Sequence, residues 1–303
     1  MTASDATVAV TLGSGPRFEP RLARRKASAS VFLVACLVAI GLLMLALGLL
    51  LYEVITKGLP YLDLDFLTAF PSRRAERAGV LPALVGSLEI GLIVGAVSVP
   101  LGVGAAVYLE EYAKNTFFNR ALRTNISNLA GVPSIIYGIF GLALFVRVLG
   151  LGRSPLAAGL ALALLIMPIV IIATMEALRA VPDSQREAAY ALGTTRWQAV
   201  RRAVLPAAAP GIMTGIILAM ARAIGEAAPL VVIGAASFVT FLPTPTQPGF
   251  TVLPIQVFNW ASRPQDEFQG IAAAAIIVLL VLMLLLNGLA IVVRARLSRH
   301  LQW

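Results

Sequence analysis

Long apolar runs separated by short polar or charged stretches dominate the chain. Six of them, Val31 to Val54, Leu84 to Leu109, Ile126 to Leu149, Leu156 to Leu178, Gly211 to Phe238 and Ile271 to Val293, each hold about 20 residues or more, enough for a helix to cross a hydrocarbon core. The pattern predicts an all-α membrane protein with six transmembrane helices over residues 28–303. A tail at 1–27, rich in Thr, Ser, Gly and Pro over its first twenty residues, is predicted to be disordered because it has too little apolar surface to bury. The first run is too long and lacks the small-residue cleavage site of a removable leader, so it reads as a retained anchor.

Between the fourth and fifth runs the pattern changes. Pro182 ends the run, Ser184 and Glu187 have the spacing of a capping box, and a short helix is predicted from there to Gly193, which can close it in a left-handed conformation. Thr195 and Gln198 repeat the box and predict a second helix ending at Val204, before Pro206, with Trp197, Val200 and Val204 on one face. The result is a helix-turn-helix elbow over residues 183–206. By periodicity alone it fits either an amphipathic hairpin resting on lipid or a rigid projection that takes force from a partner.

Composition agrees with a membrane assignment: 59% of the residues are hydrophobic, 13% are charged, and the mean hydropathy is +0.88, too apolar for a soluble surface. The net charge of +9 forms no single basic face, so nucleic acid is not an expected partner; membrane lipid and orientation account for it better. With the N-terminus inside, sixteen Lys and Arg lie on the cytoplasmic side and seven on the other, with Arg222 left inside a span. Basic loops are retained in the cytoplasm, so both termini and the elbow are expected there. On the outer side, five prolines between Val239 and Gln269 forbid a continuous helix, and "TVLPIQVFNW" is expected at the interface or as a re-entrant piece, with Phe258 and Trp260 at headgroup level. The lone Cys36 reads as a small filler in an apolar run. With one His, His300, and no Cys/His cluster, no metal is expected, and no GxxxxGK[ST] loop is present for ATP.

The elbow sequence "EAAYALGTTRWQAVRRAVLP" resembles the EAA signature of ABC importer permeases, with Glu187, Ala188, Ala189, Gly193, Leu205 and Pro206 in register and Ala203 at a position where an aliphatic residue is usual. The resemblance implies the type I ABC importer permease fold. It also implies a coupling elbow that docks, through those residues and Trp197, on an ATP-binding subunit dimer carrying ATP and Mg, so this chain binds no cofactor of its own. "GVPSIIYGIFGL", "ARAIGEAAPL", "LPIQVFNWASRPQDEF" and "RAGVLPALVGSL" are similar to stretches of the phosphate-specific branch, in its A-type subunit. Ala227 and Glu89 depart from that pattern. A homologous C-type permease subunit, an external phosphate-binding protein and a bacterial plasma membrane follow from the resemblance, and the chain would be a non-catalytic half of the translocation path. The same architecture serving phosphonate, sulfate or molybdate is the alternative. An ion-coupled secondary transporter would show two similar halves, which are absent.

Within the spans, charged groups stand out. Arg222 near the middle of the fifth run costs about 2.5 to 3.5 kcal/mol on insertion scales and should not face lipid. Glu226, four residues on, is expected on the same helical face and within pairing reach. The two could be a packing pair, or Arg222 could line an oxyanion's route with Glu226 orienting it. Pro133, Pro168, Gly138 and Gly141 are expected to set kinks and close packing, while Ser134 and Tyr137 are further candidates for the path. Gly211, Gly215 and Ala219 should admit a neighbouring helix closely. Glu89 is expected to be satisfied by a neighbouring helix, Glu176 and Arg179 to pair, and Asp266 and Glu267 to be solvated.

Overall fold

The computed structural model describes residues 22–235 and 238–299. The disorder expected of the tail falls on residues 1–21, outside the described residues, whereas Leu22 to Ala27 already belong to the first helix, α1, Leu22–Gly58. Ala, Leu, Arg and Lys are good helix formers, so the helix begins before its apolar stretch does. The chain divides within α1 into two units, Met1–Tyr52 and Glu53–Trp303.

The second unit contains α2, Leu64–Thr68, capped by Asp63, and α3, Leu81–Val107, which runs on into a π turn at Tyr108–Tyr112. The expected third span is not one helix. It is α4, Phe117–Ala130, and α5, Ser134–Gly141, continued by a π segment to Val148, and the two are bent by 100°. Pro133 has no N–H to donate and disfavours helical backbone in Val132, so an apolar run continues through a break that apolarity alone does not register.

At the centre is α6, Pro155–Arg179, capped by Ser154 and largely buried. Its small residues let neighbours approach closely. A Cβ on Gly159 would lie 2.5 Å from Ile93 of α3, and on the other side Gly211 and Gly215 sit against Ala177 and Ala173. Five of the described helices are long and apolar enough to cross a membrane, or six if the bent pair counts as one span.

The elbow follows as α7, Asp183–Ala191, and α8, Arg196–Ala199. Two details differ from the sequence reading. Pro182 takes the cap position, two residues before Ser184, and no side-chain cap bond forms, so the first capping box is absent; a Pro at that place starts the helix by its fixed φ. The second helix does not stop at Val204 but passes through a π turn, Val200–Val204, into α9, Leu205–Gly225, because a local π adjustment lets a membrane helix carry a proline that has no N–H to donate.

The expected fifth span ends early. At Glu226 the backbone turns extended, φ −83° and ψ 121°, and a separate short helix, α10, Ala228–Ile233, follows, so the run from Gly211 to Phe238 is two helices with a break. The "TVLPIQVFNW" segment forms α11, Leu253–Ala261, in which Trp260 is fully buried with its ring 6.0 Å from Phe66, while Phe258 stays exposed. Trp260 is thus a packing residue and not an interfacial anchor. The last helix, α12, is Asp266–Arg299.

Candidate functional site

The elbow is built from local chemistry. Gly193 takes φ 75°, its N–H donates to Tyr190 O at 2.9 Å, and Thr194 Oγ1 donates to Ala189 O at 2.8 Å, closing α7. Thr195 and Gln198 form the full capping box that opens α8, with Thr195 N–H donating to Gln198 Oε1 at 2.9 Å. Space beside Gly193 is open, so its conformation, and not crowding, requires glycine there. Inward, Val200, Val204, Ala208 and Ile212 pack with Val107, Leu178 and Val181, seating the elbow on the ends of α3 and α6. Outward, Glu187, Ala188 and Leu192 are exposed, and a groove of about 570 Å³ lies between the elbow helices, bordered by Ala188, Ala189, Gln198 and Pro206. Leu205 and Pro206 are half-buried where the elbow enters α9. Trp197 is 55% exposed and does not share the buried face of Val200 and Val204; it borders a second groove with Tyr112 and Leu205.

Two of the other candidates, Ser134 and Glu226, meet where two broken helices pack together. The Ser134 hydroxyl donates to Glu226 Oε1 at 2.8 Å, tying the start of α5 to the break after α9. Gly138 lets α5 approach α10 so closely that a Cβ would lie 2.7 Å from Pro229. Tyr137 is turned away from this bond: its hydroxyl donates to Leu129 O at 2.9 Å, a carbonyl at the end of α4 that also accepts from Val132 N–H at 3.1 Å.

The expected Arg222–Glu226 pair is absent. Glu226 lies beyond the last turn of α9 and has lost the helical geometry that would stack it over Arg222, and Arg222 is exposed, with no hydrogen bond or ion pair among the described residues. Glu89 also departs from expectation: its Oε2 is buried without a hydrogen-bond partner among the described residues. Glu176 and Arg179 do pair, at 2.9 Å, and Asp266 and Glu267 are exposed.

Residues 98–299 match the family described as "Binding-protein-dependent transport system inner membrane component". The chain belongs to this family. The permease is 36% identical over 248 residues to the phosphate transport system permease protein PstA of Yersinia pestis, a match covering 82% of this chain and 83% of that one. It is 46% identical over 155 residues to PstA of Mycobacterium leprae, covering 51% of each chain. It is also 39% identical over 183 residues to the probable ABC transporter permease protein YqgI of Bacillus subtilis, covering 60% of this chain and 62% of that one. The matched stretches thus span about half to three-fifths of the length of the last two relatives.

Among solved structures, a chain of the MetNI methionine ABC transporter in inward-facing form aligns with a TM-score of 0.57 and 20% identity, over 72% of this chain and 94% of that one. A chain of a bacterial alginate ABC importer aligns at 0.60 and 14%, over 90% and 96%. The fold is that of type I ABC importer permeases, and the permease is a multi-pass membrane protein.

Sequence reasoning passed over one group of charges. Glu110 and Glu111, in the π turn after α3, take ion pairs from Arg123, Arg179 and Arg186. Adjacent acids at the end of an apolar run, with arginines at the ends of other runs, were the available signal. Which arginine reaches which acid depends on tertiary packing.

Proposed function

We propose that this permease subunit imports inorganic phosphate in an ATP-driven complex. It would form half of the translocation path beside a homologous C-type permease, with a dimer of ATP-binding subunits docked on the elbow and an external phosphate-binding protein delivering the ion. The observation that carries this reading is the likeness to PstA over four-fifths of the chain, joined to an elbow whose Glu187 and Ala188 face outward. ATP and Mg belong to the docked subunits, and both termini of this chain are cytoplasmic. Arg222 is a guanidinium without a partner among the described residues, one turn before the break at Glu226, and it supplies the charge a dehydrated oxyanion needs; the Ser134 bond to Glu226 holds that break in place.

The test is phosphate uptake into proteoliposomes holding the whole complex, with sulfate and phosphonate as competitors. Uptake that depends on ATP and the binding protein, and that resists both competitors, is the expected result. Efficient competition by either anion would reassign the substrate.

A further inference from the structure

The π turn Tyr108–Tyr112 gathers side chains from four other elements at the end of the bundle where the elbow sits. Arg123 of α4 donates to Glu110 Oε2 at 2.8 Å and also to the Leu109 carbonyl, and Arg179 at the end of α6 donates to Glu110 Oε1 at 3.0 Å. Arg186 of α7 reaches Glu111 at 2.9 Å, and Arg196 of α8 lies over the Tyr112 ring, 5.1 Å from its centroid. Glu111 is 5% exposed.

Arg186 uses its guanidinium completely. Nε and Nη2 both donate to Glu111 Oε1, at 3.3 and 2.9 Å. Nη2 also reaches Leu178 O at 2.9 Å, and Nη1 reaches Val181 O at 2.8 Å and Asp183 Oδ1 at 3.2 Å. These bonds account for all five N–H donors of an arginine. The hydrogen bond to Glu111 raises the guanidinium's pKa, against the opposing effect of burial, so the charge persists at any physiological pH. Two of its acceptors are carbonyls at the C-terminal end of α6, where a cation is favoured by the helix dipole.

Position in the chain gives this anchor its meaning. Arg186 directly precedes Glu187, so on one short helix one residue faces out toward a docking partner while its neighbour is locked inward to α3 and α6. A buried ion pair contributes little net stability over an apolar replacement, but a fully satisfied planar guanidinium fixes direction as well as distance. π turns interrupt the regular ladder and are found often at functional positions.

We propose that this π turn is the relay through which displacement of the elbow reaches α3, α4 and α6, with Arg186 as its positioning residue. The proposal rests on the elbow being the docking site of the ATP-binding subunit. It is tested in the assembled complex in proteoliposomes with Glu111→Gln, Arg186→Lys and the apolar double Glu111→Leu, Arg186→Met. Retention of the ATP-binding subunit, ATP hydrolysis and phosphate taken up per ATP are measured on the same preparations.

The expected result is that the subunit stays bound and hydrolysis continues while uptake per ATP falls about tenfold or more, as one charge-assisted anchor is lost. Arg186→Lys should fall between the wild type and the other two. Wild-type uptake per ATP in the assembled apolar double would overturn the relay. So would failure of all three variants to assemble, which would make the pair a folding element only. Failure of the docking reading shows separately: hydrolysis would then remain stimulated when Gly193→Val distorts the elbow, whatever Arg186 does.

Discussion

Among the described residues Arg222 is an unpaired cation in a helix that must live in a membrane, and its position just before a helix break leaves it without the glutamate that sequence spacing assigns to it. An arginine in a span is costly, so the proposed role in the ion's path gives its charge a use that packing within the described residues does not. Arg222→Gln keeps polarity and approximate bulk but removes the charge. Uptake per assembled complex should fall about tenfold or more, the scale of losing a charged hydrogen bond of about 1.5–3 kcal/mol. Glu226→Gln should stay within about fivefold, because the amide oxygen can still accept from Ser134 at a net difference of under about 1 kcal/mol. Uptake measured against complex recovered by affinity purification checks both. Equal loss of assembly in the two variants would make Arg222 structural.

For the elements, two glycines decide geometry for different reasons. Gly193 is a matter of backbone: at φ 75° a β-branched residue is strained by about 1–2 kcal/mol, while Asn tolerates that region. Gly193→Val should therefore lose substrate-stimulated ATP hydrolysis with the complex still in the membrane, and Gly193→Asn should keep most of it. Gly215 is a matter of space: a Cβ there would lie 2.3 Å from the Ala173 Cβ, with no flexible atom to yield, so Gly215→Val should push α9 off α6. Overpacking of this kind costs about 1–3 kcal/mol. A lower melting temperature of the purified complex in detergent, with no such change for Gly193→Asn, is the expected reading.

Over the whole second unit, functional parts separate to opposite ends. The ends of α3 and α6, the start of α9 and the elbow share one cluster around Val107, Leu178 and Val204. At the other end the Pro-rich stretch is pinned to the starts of α3 and α6: Leu253 N–H donates to Ser87 Oγ at 2.9 Å, Leu156 N–H to Pro245 O at 2.9 Å, and Gly249 N–H to Arg153 O at 2.9 Å. Ser184 and Thr244 are both exposed at these two ends. In a Cys36→Ala background, Ser184→Cys should be labelled by a membrane-impermeant thiol reagent only after cells are opened, and Thr244→Cys from outside. The reverse pattern would put the elbow where no ATP is available.

Hydropathy, charge asymmetry and the EAA spacing were enough to establish an all-helical membrane chain of the ABC importer type, because span length and turn chemistry are local properties written along the chain. The αL position of Gly193 and the Thr195–Gln198 box were legible for the same reason. The break at Pro133 was legible in kind, because a proline inside an apolar run is expected to kink it, but its 100° size was not; the break at Glu226 was not, since helical spacing from Arg222 carries on through that position. The partners of Glu226 and Glu111 were hidden too: Ser134 lies 92 residues from Glu226, and Arg186 lies 75 from Glu111. Such pairs form only when distant helices pack, and which charge meets which depends on small-residue contacts, such as Gly138 on Pro229 and Gly215 on Ala173, that set how closely the helices approach.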